Sequence, residues 1–265
     1  MRESEEIFFK YDKLRLRAFD NSPLQNKINI CEDNSFTAFC FPEVDYFNYS
    51  ILNDEKKITS KTLKNIQSFF AFQNISKHRV IINSEIAEQE QSILSKSGYK
   101  KQKTIVKLSY FHKNKNMLIP NVDIQFEIVT QKNISKYTAI YLDAFEATGR
   151  NINRVAENYK MLVNIEGLDS FIMKVENNPV GIAVLFNDSQ NYFLAGGAVL
   201  KKFRNFGYHK AGLIMRINKC IKNFRIKNII SWAYKGGVSH QNMLKLNMEE
   251  KCYYDVLEFT KYNTQ

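Results

Sequence analysis

Residues 191–224 read NYFLAGGAVLKKFRNFGYHKAGLIMRINKCIKNF, and no other stretch restricts the possible folds as much. Tyr192, Phe193 and Leu194 have the apolar, aromatic character of a strand, and residues 195–199 continue as small side chains that let another group approach the backbone closely. A basic corner follows, made by Lys201, Lys202 and Arg204, and Gly207 removes a side chain where one would be in the way. Ala211, Leu213, Ile214, Ile217, Ile221 and Phe224 then recur near helical spacing, which predicts an amphipathic helix.

A strand that turns through a basic, glycine-containing corner into a helix is suited to a polyanion. The first turn of a helix has backbone N–H groups without partners and about half a positive charge at its end, so a phosphate docks there. Many strand-to-helix turns carry one glycine, so this reading needs its context.

The turn, Arg204-Asn205-Phe206-Gly207-Tyr208-His209, resembles the R/Q-x-x-G-x-G/A cofactor motif of the GNAT superfamily of N-acetyltransferases. Leu194-Ala195-Gly196-Gly197-Ala198-Val199-Leu200 is similar to the splayed strand that precedes that motif in the family, and Phe203-Arg204 to its aromatic-Arg pair. His209 departs from the pattern, standing where the family has Gly or Ala. The resemblance implies acetyl transfer from acetyl-CoA, as cosubstrate, directly to an amine. It implies a coenzyme A site made by the backbone of Gly197, Ala198, Val199 and Leu200 toward the pantetheine arm. Arg204, Asn205, Phe206, Gly207, Tyr208, His209 and Lys210 would lie around the pyrophosphate, with Ser239 a further contact. An N–H near Ala198 would polarise the thioester carbonyl.

An alkyl amine is mostly protonated at neutral pH, so its attack needs a route for the proton. The family's usual acid, a Tyr four residues before the Gly of its LGF turn, is replaced here by Met243. Tyr234, ending a strand beside the expected gap, and His240, opening the next helix, are the catalytic candidates. Each has a plainer alternative: Tyr234 packed on its strand, Ser239 an N-cap, His240 a solvated first-turn residue and His209 a surface residue. Asp143, Glu146, Arg150 and Arg154 flank the loop where the family builds its acceptor site, or are helix-surface charges. His78, His112 and four cysteines without C-x-x-C spacing point to no metal.

The remaining patterning predicts helices over 3–19, 59–70, 86–95, 135–146, 154–164 and 239–246. Strands are expected over 36–41, 46–52, 79–82, 104–111, 124–129, 170–175, 180–186, 228–234 and 253–259. This is an α/β (α+β) class with a mixed twisted sheet flanked by helices. Residues 87–110 and 236–259 share a helix, a turn at Gly98 or Asn247, and a strand, so a tandem GNAT fold is expected. Its parts would be a degenerate N-terminal domain over 1–111, a linker over 112–121 and a C-terminal domain with the acetyl-CoA site over 122–265.

At 265 residues and 44% hydrophobic content the chain can bury a full core. Its net charge of +11 is dispersed without a long basic block, so no nucleic acid is expected. The acidic start MRESEEIFFK and the lack of long apolar runs point to no membrane and a cytoplasmic location, and the cysteines to free thiols. The expected partners are a small-molecule amine acceptor and coenzyme A, with the chain a monomer or homodimer. A non-catalytic acyl-CoA-binding or protein-interaction module is the competing reading.

Overall fold

The structure is a computed structural model and describes residues 6–53, 58–111, 117–222 and 228–260. Along the chain it runs α1 (Ile7–Asp20), β1 (Asn29–Glu32), β2 (Phe36–Cys40), β3 (Tyr49–Leu52), α2 (Ser60–Phe72), β4 (Lys77–Asn83), α3 (Ser84–Gln89), α4 (Gln91–Lys96) and β5 (Tyr99–Tyr110). It continues with β6 (Gln125–Ile128), α5 (Ile134–Ala144), α6 (Ile152–Lys160), β7 (Leu168–Val175), β8 (Asn178–Asn187), β9 (Asn191–Val199), α7 (Tyr208–Ile221), β10 (Asn228–Tyr234), α8 (Val238–Leu244) and β11 (Glu249–Thr260). The mixed α/β class is as expected. The part of the expected linker at 112–116, and Phe224 at the end of the expected helix, lie outside the described residues.

The chain divides into two compact units, neither of them continuous in sequence. One unit comprises residues 1–25 and 108–250, the other 26–107 and 251–265. Side-chain contacts show why the first helix groups with residues far along the chain. Phe8 of α1 stacks on Trp232 of β10 with ring centroids 4.5 Å apart, and Phe19 meets Tyr159 of α6 edge-on at 5.8 Å. Lys10 pairs with Asp188 at 2.7 Å. Such aromatic pairs contribute about 1 kcal/mol each beyond the area they bury, so α1 belongs with the second half.

In the first unit the strands lie in the order β10-β9-β8-β7-β6, antiparallel except for the parallel β9–β10 pair. Glu176 and Asn177 both have positive φ (49° and 64°), which suits the two-residue turn joining β7 and β8. The α7 face foreseen from spacing is buried, with Ala211, Leu213, Ile214 and Ile217 all 3% exposed or less. Ala211 packs with Met173, Val180, Ala183 and Val199.

In the other unit the order is β1-β2-β3-β4-β11-β5. β1, short and without alternation, escaped the sequence reading. The expected helix over 86–95 is two short helices, α3 and α4, meeting at Glu90. Leu63, Ile66 and Phe70 of α2 lie on Val80, Ile82 and Leu257. His78 is a core residue there: it stacks on Phe70 and meets the Tyr99 hydroxyl at 2.9 Å. Burial pushes its imidazole down to about 3, so it stays neutral.

β11 enters this unit beside β4, with Tyr254 opposite Asn83 and Thr260 opposite Lys77. Asp255, 4% exposed, accepts hydrogen bonds from the Ser84 hydroxyl (2.8 Å) and the Thr104 hydroxyl (3.0 Å) and pairs with Lys101 (2.7 Å). It therefore ties β11 to its neighbours on both sides. Replacing it with Ala strands two hydroxyl donors and is expected to cost about 2 kcal/mol in urea unfolding. Asp255→Asn, which keeps an acceptor, should cost less; equal losses would remove Asp255 as the tie.

Candidate active site

The site begins where two parallel strands stop pairing. β9 and β10 are in register at Asn191–Asn228, Tyr192–Ile229 and Phe193–Ile230 and no further, although β9 continues to Val199 and β10 to Tyr234. The Ser231 hydroxyl donates to Leu194 O (2.9 Å) at the apex of the divergence. Beyond it, β9 has an open edge.

Which backbone groups that edge offers follows from alternation along the strand. Leu200 N–H donates to Val180 O of β8 (2.9 Å), and Ala198 O lies against Gly181, so residues 198 and 200 direct their polar groups to β8. Those of Gly197 and Val199 face the opening. An N–H near Ala198 that faces the opening is therefore that of Gly197 or Val199, because an N–H cannot face both neighbours.

The divergence has a local cause. β8 pairs with β9 regularly at Gly181–Val199, Ile182–Ala198 and Ala183–Gly197, and again at Leu185–Leu194, so Ala195 and Gly196 together oppose Val184 as a β-bulge. Arg216 of α7, fully buried, holds it. Its Nη1 donates to Val184 O and Ala195 O, both at 3.0 Å, and its Nε to Gly212 O at 3.1 Å. A Cβ at position 197 would lie 2.9 Å from Arg216 Nη2, so the guanidinium is what requires glycine there. Burial depresses the guanidinium to about 10. Arg216 was not foreseen as a site residue, yet the signal existed: it lies on the apolar face of its helix, between Leu213 and Ile217.

From β9 the chain passes through a short 3₁₀ turn (Lys201–Phe203) into Arg204 and the loop before α7. Asn205 and Gly207 have φ of 70° and 84°. At Gly207 the nearest atom to an added Cβ is 3.9 Å away, so backbone conformation, and not space, calls for glycine. No side chain caps α7, and its first engaged donor is Ala211 N–H, on Gly207 O at 3.0 Å. The N–H groups of Tyr208, His209 and Lys210 precede it and face outward from the first turn. Phe206 is exposed and stacks on Tyr208.

Arg204 is committed elsewhere. Its Nη2 donates to Ala144 O at the end of α5 (3.0 Å), its Nη1 pairs with Glu146 (2.6 Å) and its Nε reaches Val199 O (3.3 Å). It docks the loop onto the C-terminal end of α5, where a cation is favoured. The Arg204 hydrogen bond holds the Glu146 carboxyl below the usual range. Of the other expected acceptor-loop residues, Asp143 is exposed, and Arg154 supplies the N–H that the Asn151 side chain accepts in capping α6.

The helices that follow the diverging strands meet at their first turns. The Asn242 amide donates to His209 Nδ1 (3.1 Å), and His209 Nε2 lies 3.0 Å from Ser239 Oγ. His209 is therefore half-buried between α7 and α8 and not the surface residue that its place in the sequence allowed. Burial first, and the Arg216 charge second, push its imidazole down to about 4.

His240 is buried, not solvated: its Nδ1 accepts Gly236 N–H (3.1 Å) and its Nε2 meets Glu250 at 2.7 Å, which holds the turn after β10. With both ring nitrogens engaged, it is a clamp. Tyr234 stands 44% exposed at the end of β10, and Met243 is 3% exposed. A cavity of about 280 Å³ between α5, α6 and the start of β7 includes none of the expected site residues. Among the described residues no three His, Cys, Asp or Glu side chains group to hold a metal, and no helix is long and apolar enough to cross a membrane.

No protein-family model and no curated protein matches the sequence. Solved structures do match the fold. A GCN5-related N-acetyltransferase from Kribbella flavida superposes with a TM-score of 0.63 over 94% of each chain at 13% identity. Another, from Sphaerobacter thermophilus, has a TM-score of 0.63 at 10% identity, covering 86% of this chain and 81% of that one. A conserved protein of unknown function from Staphylococcus epidermidis also gives 0.63, at 14% identity, covering 89% of this chain and 95% of that one. The chain has the fold of the GCN5-related N-acetyltransferases; identities this low speak to fold alone.

A folded-state imidazole near 4, against an ordinary value of 6.5, means that the unfolded chain binds the extra proton first as pH falls. The contribution of His209 is complete above about 6.5 and is lost as pH drops toward 4. Thermal unfolding followed across that window should show a decline that His209→Gln flattens. An unchanged profile in the variant would mean that His209 titrates normally.

Proposed function

We propose that the chain is an acetyl-CoA-dependent N-acetyltransferase that transfers the acetyl group directly to a primary amine of a small molecule or amino-acid-like acceptor. The observation that carries this reading is the open edge of β9 beyond Phe193, leading through an uncapped, basic turn into α7. An extended arm with amide groups can pair with Gly197 and Val199 as an added strand would, and its pyrophosphate then reaches the first-turn N–H groups of residues 208–210. An open-edge N–H at the thioester oxygen would supply about 3 kcal/mol of transition-state stabilisation. Such a site needs little from side chains, which accords with Arg204 being spent on docking α5.

We further propose that residues 1–111 hold a degenerate copy of the second half, with residues 112–121 as the connection. Three antiparallel strands, a helix, a parallel strand, helical turns and a long strand occur in both, as β1-β2-β3-α2-β4-α3-α4-β5 and as β7-β8-β9-α7-β10-α8-β11. The turns before the long strands match in conformation, with Gly98 at φ 84° and Asn247 at φ 58°. Among the described residues the first copy shows no counterpart of the open edge: β3 pairs with β4 up to Ile51 and ends at Leu52. The free cysteines fit a reducing compartment such as the cytoplasm.

A non-catalytic acyl-CoA-binding module is the second reading, favoured by Met243 in place of an acid and by the engaged ring of His240. Binding and turnover separate the two. Acetyl-CoA at about 100 times its dissociation constant should stabilise the native chain by roughly 2.7 kcal/mol, seen as a thermal shift. Lys210→Glu suits the first turn of a helix yet opposes a pyrophosphate; it should fold normally and lose most of the shift. No shift in the native chain would refute both readings, and a shift without CoA release across an amine panel would leave the module.

A further inference from the structure

Ser239, His209 and Asn242 form a polar relay inside the cleft that the backbone site does not use, and the directions of its hydrogen bonds can be worked out. The Asn242 Nδ2–H donates to His209 Nδ1 at 3.1 Å, so in a neutral ring the proton sits on Nε2. That Nε2–H then donates to Ser239 Oγ at 3.0 Å. Since Ser239 Oγ accepts from His209, its own hydroxyl hydrogen cannot point at the ring and must point away from it. The half-buried Ser239 stands in the first turn of the helix after β10, and His209 in the first turn of the helix after β9. The relay thus bridges the ends of the two strands that part beyond Phe193 and Ile230.

We propose that Ser239 is the hydrogen-bond donor to the sulfur that leaves the thioester, oriented by His209 and Asn242; this rests on the acetyl-transfer reading above. The nitrogen–carbon bond forms and the carbon–sulfur bond breaks with its electron pair remaining on sulfur. The amine gives one proton to water, and sulfur takes one through the Ser239 hydroxyl, which is reprotonated from water. The products are an amide and a free thiol. The same geometry argues against Ser239 as a nucleophile, because a ring whose Nε2 already carries a proton cannot take the hydroxyl proton. Met243 lies one turn further along the same face of α8, buried and without a proton to give. Ser239 is the nearer group on that face that can donate.

The test compares native protein, Ser239→Ala, Ser239→Thr and His209→Ala by CoA release with an accepted amine and by acetyl-CoA affinity. Ser239→Ala should lower kcat about 100-fold while acetyl-CoA affinity changes less than about threefold. Ser239→Thr, which keeps the hydroxyl, should recover most of the rate, and His209→Ala should fall between. A second readout needs no turnover: bound coenzyme A thiol, titrated by its thiolate absorbance, should ionise about one pH unit lower in native protein than in Ser239→Ala. Equal kcat in native and Ala proteins, or the same ionisation in both, overturns the proposal while leaving acetyl transfer intact. An acetyl group found on Ser239 by mass spectrometry overturns it in favour of a covalent route. A native chain that releases no CoA overturns it together with the activity on which it rests.

Discussion

Arg216 holds the carbonyls of Val184 and Ala195 at once, and much of what is distinctive here depends on that double grip. A two-for-one register in a sheet leaves a carbonyl without its ladder partner, and inside a protein such a group needs a donor. The guanidinium supplies two bonds from one nitrogen without leaving its helix. With the bulge held, β9 bends off the line of β10 and its far edge stays unpaired. An apolar side chain in place of Arg216 could fill the volume but could not satisfy those oxygens.

A cleft built in this way is a property of the main chain, and its side chains are free for other work. Arg204 anchors the loop to the end of α5, and His240 clamps the turn after β10. The relay of Ser239, His209 and Asn242 joins side chains of α7 and α8. The first half shows the contrast: β3 and β4 are paired as far as Ile51, one residue short of the end of β3, and among the described residues the same element order there shows no parting of its parallel pair.

How much of this could be read beforehand depends on whether a feature is local in sequence. The strand, the glycine turn and the amphipathic helix were legible because small residues at 195–198, glycine at 207 and the spacing of 211–217 impose their conformations directly. The turns at Gly98 and Asn247 were legible for the same reason. Asn242 was not, since a lone Asn within a helix reads as surface unless its partners are known; the place of Arg216 on the apolar face was legible, but the carbonyls it holds were not. The surface readings offered as the plainer alternatives for His209 and His240 fail because burial is decided by α8 and by Glu250, elements not visible in the residues' own local sequence. The unit borders were hidden most deeply. Nothing local to residues 7–20 says that Phe8 will stack on Trp232, and nothing local to β11 says that it will lie beside β4.

That last placement governs the order in which the molecule can assemble. α1 stacks on a strand made more than two hundred residues after it, while the unit containing β1 to β5 waits for β11. Neither unit can close early: the one that holds α1 needs the chain through residue 250, and the other needs β11. Pairings between distant parts of a sequence form slowly, because closing a long loop costs entropy before any contact repays it. Until then the edge of β4 that awaits β11 is open to any other strand, including that of a second chain. The lysines and glutamates spaced along residues 99–107 and 249–258 fit that hazard, since they keep the two strands soluble until each meets its own neighbours.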